Sequence, residues 1–305
     1  MRDRTSINDL RAFATLAETQ SFVRAAQTLF LTQSALSRRI SKLEAVLATR
    51  LFDRNSRNVT LTPVGEAFVP IAARALSGFQ QSLDEIRDIV QLRAGTVTIG
   101  SMLTVAQHML PAVITQFMRA HPGVTVRLLD DFGPRVLDAV EAGEAEFGVV
   151  MPTQLRDRLQ FENCLDDPYV AVCPTDHPLA RRRSVEWRVL EHWPCIRLGP
   201  NNGNVALTRQ FETVDDETRE GPRTFCEVQH IATLTEMVAN GAGVGVAPAL
   251  AIAGNANPRL VKVRLRNPEV ARPIGLATVR ERALSPAAQV LYKQVRATLR
   301  ARQRA

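Results

Sequence analysis

A single short segment holds the side chains best suited to reading a nucleic acid. Gln33, Ser34, Ser37, Arg38, Ser41 and Lys42 are interleaved with Leu36, Ile40, Leu43 and Leu47, and these four apolar residues are spaced 4, 3 and 4 apart. That spacing predicts a helix over about 33–47 with the apolar residues turned inward. The other six then share the opposite face, near the helix N-terminus. An α-helix fits the major groove of DNA, where Gln, Ser and Arg hydrogen-bond base edges and cations hold phosphates. Thr32 is suited to cap the helix, and a helix N-terminus adds partial positive charge and free N–H groups. Taken alone, such a face is more simply a solvated polar surface. The flanking elements decide between the two.

Residues 8–19 place Leu10, Phe13, Leu16 and Ala17 on one helical stripe. Ser21 predicts the cap of a second helix that carries Phe22, Ala25, Ala26 and Leu29 on one face. Beyond the third helix, the run Leu51-Phe52-Asp53-Arg54-Asn55-Ser56-Arg57-Asn58-Val59-Thr60-Leu61 sets polar turn residues between two β-prone stretches, a hairpin pattern. Arg54 and Arg57 at its tip suit contact with phosphate or the minor groove. Three helices and a basic hairpin make a winged helix-turn-helix.

The chain has 305 residues, room for about two domains. It holds 38 Lys+Arg and 31 Asp+Glu, a net charge of +7. Hydrophobic residues at 45% and charged residues at 23% are ordinary values for a globular protein and argue against wholesale disorder. The charge is unevenly spread: residues 21–60 carry a net +5, residues 96–254 a net −7 and residues 255–305 a net +10. The first of these stretches suits phosphate binding; the Arg-rich tail is more simply a solvated helix face.

No segment approaches the roughly 20 apolar residues of a membrane span, and Met1-Arg2-Asp3-Arg4 lacks the apolar run of a secretory signal. Cys164, Cys173, Cys195 and Cys226 have no C-x-x-C spacing, which argues against a zinc ribbon or a disulfide framework. We therefore expect a cytoplasmic protein with reduced thiols, no metal, no cofactor and no membrane partner.

Thr62-Pro63 predicts the start of a long helix, with Glu66 complementing its dipole. Phe68, Ile71, Ala75, Phe79, Leu83, Ile86 and Val90 follow at spacings of 3, 4, 4, 4, 3 and 4. The pattern is helical without a strict heptad, so it suits a short pairing seam rather than an extended coiled coil. Gly78 either permits close approach of a second helix or is merely tolerated. Arg93-Ala94-Gly95 ends the helix, with Gly95 as the hinge.

Thr96–Gly100, Val124–Leu129 and Phe147–Val150 then read as strands, separated by helices through Met109–Met118 and Val136–Val140. A second set begins at Tyr169–Cys173 and includes a helix His230–Asn240 and a strand Val244–Ala247. The tail from Ile274 returns a strand and a last helix, about Pro286–Arg302. Strand–helix–strand alternation predicts a parallel sheet with right-handed crossovers.

With these elements in place, the sequence resembles the LysR-type transcriptional regulators. The matching stretches are Ser21-Phe22-Val23-Arg24-Ala25-Ala26, Thr32-Gln33-Ser34-Ala35-Leu36-Ser37-Arg38-Arg39-Ile40-Ser41-Lys42-Leu43-Glu44, Leu51-Phe52-Asp53-Arg54 and Leu61-Thr62-Pro63-Val64-Gly65. Weaker matches follow in order at His121-Pro122, Asp176-His177-Pro178-Leu179 and Gly241-Ala242-Gly243-Val244-Gly245-Val246-Ala247-Pro248. One departure is Ala48, where the family usually has Gly after the recognition helix.

The resemblance implies a winged helix-turn-helix DNA-binding domain at 1–62, a linker and dimerisation helix at 63–93, and an effector-binding regulatory domain at 94–305. The last is an α/β, periplasmic-binding-protein-like (type II) domain, with subdomain I at about 96–166 and 270–305 and subdomain II at about 167–269. It also implies a homodimer or homotetramer on an imperfect palindromic operator in double-stranded DNA, acting indirectly on RNA polymerase. Thr32, Gln33, Ser34, Ser37, Arg38, Lys42, Arg54 and Arg57 are the expected DNA contacts.

Ligands of open α/β sheets bind beyond the carboxyl ends of strands, often at helix N-termini. Ser101-Met102-Leu103-Thr104 follows the first strand, Asn202-Gly203 lies in a polar loop, and Gln229-His230 opens a helix. By family position these segments, with Pro248, face a cleft between subdomains and would bind a small effector, an anion being one option. Ser101 and Thr104 serve equally well as plain caps, and His230 as a surface histidine.

Gly241–Gly245 lacks the strand-then-helix context of a dinucleotide loop, and Asp215-Asp216-Glu217 lacks calcium-loop spacing. The nine-residue separation of Cys164 and Cys173 resembles that of peroxide-sensing relatives, but 201–210 holds no cysteine, so redox sensing is not expected. A transport or ligand-binding protein is the main alternative, countered by the winged helix. An enzyme is countered by the absence of G-x-S-x-G or H-E-x-x-H in the sequence.

Overall fold

The computed structural model describes residues 5–55, 58–152, 155–199, 224–253 and 257–304. The chain divides into two compact units, Met1–Asp88 and Ile89–Ala305.

In the first unit, α1 (Ile7–Thr19), α2 (Phe22–Thr28) and α3 (Gln33–Leu47) precede β1 (Phe52–Asn55), β2 (Asn58–Leu61) and α4 (Pro63–Val90). Each short helix begins at a capping side chain, because the first N–H groups of a helix have no partner within it. Asp9 Oδ2 accepts from Ser6 N at 2.9 Å, Ser21 Oγ from Arg24 N at 3.4 Å, and Thr32 Oγ1 from Ala35 N at 3.2 Å. The inward stripes meet in one core of Ala12, Phe13, Leu16, Ala25, Leu36, Ile40 and Leu43. Phe13 is at its centre, with ring centroids 5.4 Å from Phe52 and 5.0 Å from Phe68. Cutting Phe13 back to Ala would cost about 3–5 kcal/mol.

Two side chains attach the hairpin to the helices. Glu44 Oε1, on α3, accepts from Leu51 N at 2.9 Å and Phe52 N at 3.3 Å. Thr62 Oγ1 donates to the Arg50 carbonyl at 2.8 Å and accepts from Gly65 N at 3.0 Å. Gly65 is required here, since a Cβ would lie 2.1 Å from the Leu51 carbonyl oxygen. The strands pair antiparallel, Phe52 opposite Leu61 and Asn55 opposite Asn58.

The second unit holds two sheets that share one long strand. β3 (Gly95–Met102) runs parallel to β4 (Val124–Asp131) and β5 (Phe147–Val150). β6 (Leu159–Pro174) spends Leu159–Pro168 against β12 (Ala271–Val279), which also pairs with β5. From Tyr169 onward β6 pairs with β10 (Val244–Pro248) and β11 (Leu260–Arg266). β7 (Ser184–Glu186) extends that sheet beside β11, and β8 (Cys195–Leu198) with β9 (Thr224–Val228) beside β10.

The parallel pairing expected from strand–helix–strand alternation holds for β3 with β4 and β5 and for β8 with β9 and β10, but the sheets are mixed: β12 is antiparallel to β5 and β6, and β6 to β10 and β11. β6 alone is 16 residues long, and only its apolar second half was legible in the sequence. Its α-helices among the described residues are α5 (Leu103–His108), α6 (Leu110–Ala120), α7 (Gly133–Ala142), α8 (Ile231–Ala239), α9 (Ala249–Ala253) and α10 (Pro286–Gln303). Among the described residues, no helix is long and apolar enough to cross a membrane.

Candidate nucleic-acid interface and ligand cleft

Burial of Leu36, Ile40 and Leu43 fixes the roll of α3 about its axis, and so fixes what it shows to solvent. Gln33, Ser34, Arg38, Ser41 and Lys42 are exposed, and Ser37 is half-buried. Thr32 Oγ1 and Ser34 Oγ are 3.1 Å apart at the start of the helix. Among the described residues the Arg38 side chain has no hydrogen-bond or ion-pair partner, so its five donors are available to a ligand.

Lys42 differs from the sequence expectation of a free phosphate anchor. Its Nζ is 3.2 Å from Asp9 Oδ2, on α1, with the Asp9 side chain 4% exposed and that of Lys42 42% exposed. Burial pushes the Asp9 carboxyl up, but hydrogen bonds from Ser6 and the Lys42 ammonium together outweigh it and hold it below the usual carboxylate range. Arg54 is placed by its backbone in β1, opposite Val59. Arg57 lies outside the described residues.

Sequence reasoning passed over Phe30, in the turn between α2 and α3. Its backbone is left-handed, φ 55°, and its side chain is 96% exposed. A bulky residue in that conformation is uncommon.

In the second unit the carboxyl ends of β3 and β4 lie side by side, Met102 opposite Asp131. Beyond them is a cavity of about 480 Å³, lined in part by Met102, Leu103, Thr104, Phe132, Gln229 and His230. Phe132 is the cap residue of α7 and His230 that of α8, and neither side chain bonds its helix; the Phe132 N–H donates to Asp131 Oδ1 at 2.7 Å. The Phe132 and His230 rings are in contact, centroids 5.6 Å apart and tilted by 31°. His108, on α5, also lines the cavity, and burial keeps its imidazole below the ordinary pKa.

Of the nine residues expected to hold a ligand, the structure brings Met102, Leu103, Thr104, Gln229 and His230 to this one cavity. Ser101 is not on its wall: the side chain is fully buried and its hydroxyl donates to the Met102 carbonyl at 3.1 Å. Pro248 is also off the wall, buried at the end of β10 opposite Tyr169. Asn202 and Gly203 lie outside the described residues.

Other lining residues were missed, among them His108, Phe132, Met151 and Arg272. Phe132 follows β4 as Met102 and Leu103 follow β3, so the carboxyl-end rule would have found it. Met151 follows β5 in the same way. Arg272 left only the weak signal of a cation next to the apolar run Ile274–Val279.

A helix-turn-helix with an exposed polar face on its third helix, followed by a two-sheet α/β unit with a ligand-sized cleft, defines a DNA-binding regulator of the sensor type. Residues 7–66 match the bacterial regulatory helix-turn-helix protein, lysR family, and residues 91–300 match the LysR substrate binding domain. The chain belongs to the LysR family: it is a LysR-type transcriptional regulator with a helix-turn-helix DNA-binding domain and a substrate-binding domain.

Among its relatives is the HTH-type transcriptional regulator YbhD of Escherichia coli, 32% identical over 286 residues that cover 94% of this chain and 89% of that protein. BsdA of Bacillus subtilis is 29% identical, covering 86% of this chain and 90% of that one. The fold is shared with a full-length OxyR variant from Pseudomonas aeruginosa at TM-score 0.78, 24% identity and coverage of 96% and 100%. Full-length CbnR, in a complex with its target DNA, superposes at TM-score 0.66 with 20% identity and coverage of 96% and 99%.

Proposed function

We propose that this regulator binds an imperfect palindrome as a homodimer or homotetramer, with α3 of each subunit in one major groove. Gln33, Ser34, Ser37 and Arg38 would read base edges, Thr32 and the helix N-terminus would meet phosphate, and the wing with Arg54 and Arg57 would lie along the backbone. Lys42 would add charge while holding Asp9. The observation that supports this reading most is the exposed Arg38 side chain, without a partner among the described residues, on a polar helix face.

The functional boundaries follow the same reading: DNA binding through residue 62, pairing along 63–93 and effector sensing at 94–305, in the cytoplasm. A small effector in the cleft, held by Met102, Leu103, Thr104, Gln229 and His230, would favour one closure of the two sheets over another. It acts only through its differential affinity for the two arrangements. The output is binding and contact with RNA polymerase, not catalysis on the effector.

A footprint on the region upstream of the gene tests this. The expected result is two or more protected half-sites on one face of the duplex, spaced by whole helical turns of about 10–10.5 bp. A uniform footprint without a preferred sequence would count against it.

A further inference from the structure

The cleft wall contains one cation whose hydrogen-bonding capacity is mostly unspent. Arg272, on β12, lines the cavity with its side chain 5% exposed, and its register partner on β6 is Asp167, 3% exposed. Arg272 Nε donates to Asp167 Oδ2 at 3.0 Å. A two-pronged pair would take the second carboxylate oxygen as well. That oxygen is occupied: Asp167 Oδ1 accepts from Leu250 N at 2.9 Å, at the start of α9. Arg272 Nη2 is 3.0 Å from Oδ2 as well, but off the hydrogen-bond axis, and it is buried with no acceptor. A buried guanidinium nitrogen without an acceptor is expensive, so native proteins seldom keep one without a use.

We propose that Arg272 is the anion receiver of the cleft, and that the ligand is a compact monocarboxylate with an apolar body. The proposal rests on the cleft being the effector site. Three features point to that chemistry. Asp167 and Arg272 cancel in charge, so positive potential beyond the pair comes from the start of α8, which has no side-chain cap at the cavity, whereas at α7 the Asp131 carboxylate already takes the Phe132 N–H. Asp131 and Glu236 also line it and would repel a second negative charge on the ligand, which disfavours dicarboxylates and phosphate dianions. Met102, Leu103, Phe132, Met151 and Ile231 supply apolar wall for the rest of the molecule. The volume of about 480 Å³ matches a small metabolite.

The position of the pair gives binding a consequence. Asp167 and Arg272 lie where β6 and β12 leave the first sheet, and Asp167 also holds α9, which follows β10 in the second. The end nitrogen of Arg272 is closed to water, so a carboxylate reaches it only as the lining side chains shift. Engaging it pulls on the strands that join the two sheets.

Calorimetric titration of the full chain with hexanoate and benzoate, each against its primary amide, tests the proposal. The acids should bind and the amides should bind about tenfold more weakly or not at all. Arg272→Lys keeps a cation beside Asp167 but loses the planar fork, and should weaken acid binding by about tenfold in a folded protein. Asp167→Asn keeps the cap on Leu250 and removes the competing charge, and should tighten it; a merely structural pair would not give opposite signs. Acids binding equally to wild type and Arg272→Lys, or amides binding as well as acids, would overturn Arg272 as receiver while leaving a small-molecule cleft. No acid binding up to about 10 mM would overturn the ligand class, and the effector reading would then rest on whether neutral compounds change DNA affinity.

Discussion

Lys42 Nζ of the recognition helix lies 3.2 Å from Asp9 Oδ2 of the first helix, and the same Asp9 oxygen accepts from Ser6 N. One buried carboxylate therefore starts α1 and sets the distance between α1 and α3. Lys42→Met should lower stability by about 1 kcal/mol, since the lysine is partly exposed and screened. Asp9→Ala should cost more, about 2 kcal/mol, because the cap is lost too. The Asp9 carboxyl titrates below its unfolded value, so its contribution is present above the unfolded pKa of 3.8 and is lost as pH falls through the folded one. Urea unfolding of wild type and Asp9→Asn should converge as pH drops below about 4; a constant gap would contradict this coupling.

Ala48 closes α3 in the left-handed conformation, φ 52° and ψ 31°, where a Cβ is unfavourable. Its neighbour Thr49 N still donates to the Glu44 carbonyl at 3.1 Å, so the helix stop forms despite the side chain. Ala48→Gly should raise the urea midpoint, by about 0.5–1 kcal/mol of stability. A loss of stability would mean the strain is relieved elsewhere.

Along α4, Phe79, Leu83, Ile86, Ile89 and Val90 are exposed apolar residues. If this face pairs subunits, Ile86→Glu together with Val90→Glu should shift sedimentation toward the monomer and weaken operator binding through loss of the second half-site. Unchanged sedimentation would place the dimer contact on another surface.

Burial pushes the Cys173 thiol up to about 11 and the Cys195 thiol up to about 12. Cys164 is raised by burial and by the nearby Glu162 carboxylate, which Arg300 and Arg296 offset in part. Thiolate is the reactive form, so these three should be slow toward a thiol reagent at neutral pH. Cys226, half-buried, should label first, and the others only on unfolding. Rapid native labelling of Cys164 or Cys173 would reopen redox sensing.

What could be read from the sequence was what local spacing encodes. The helical stripes, the caps Ser21 and Thr32, the hairpin and the β3–β5 alternation all depend on neighbours within a few residues. β6 was half-hidden because Glu162, Asn163, Asp166 and Asp167 break its alternation; Asn163 donates to Asp166 three residues on, while Glu162 and Asp167 are satisfied by partners far along the chain. Asp167 meets Arg272, 105 residues away, and Glu162 takes the Tyr292 hydroxyl, 130 residues away. Five cleft residues were legible because they sit at strand ends or helix starts. Ser101 misled because β3 is a central strand buried on both faces from Ile99 to Met102, so its hydroxyl is enclosed before the strand reaches the cavity. The pairing of Lys42 was hidden because a cation on a polar face gives no sign of a buried carboxylate on another helix.

The most direct test is the salt dependence of operator binding by wild type and Arg38→Ala. Arg38 should supply both base reading and charge, so its loss should weaken operator binding by about 1–3 kcal/mol, with little change for random DNA. If Arg38 also touches phosphate, the slope of log K against log salt falls by about 1. Equal operator affinity and equal slope for the two proteins would contradict α3 as the reading helix.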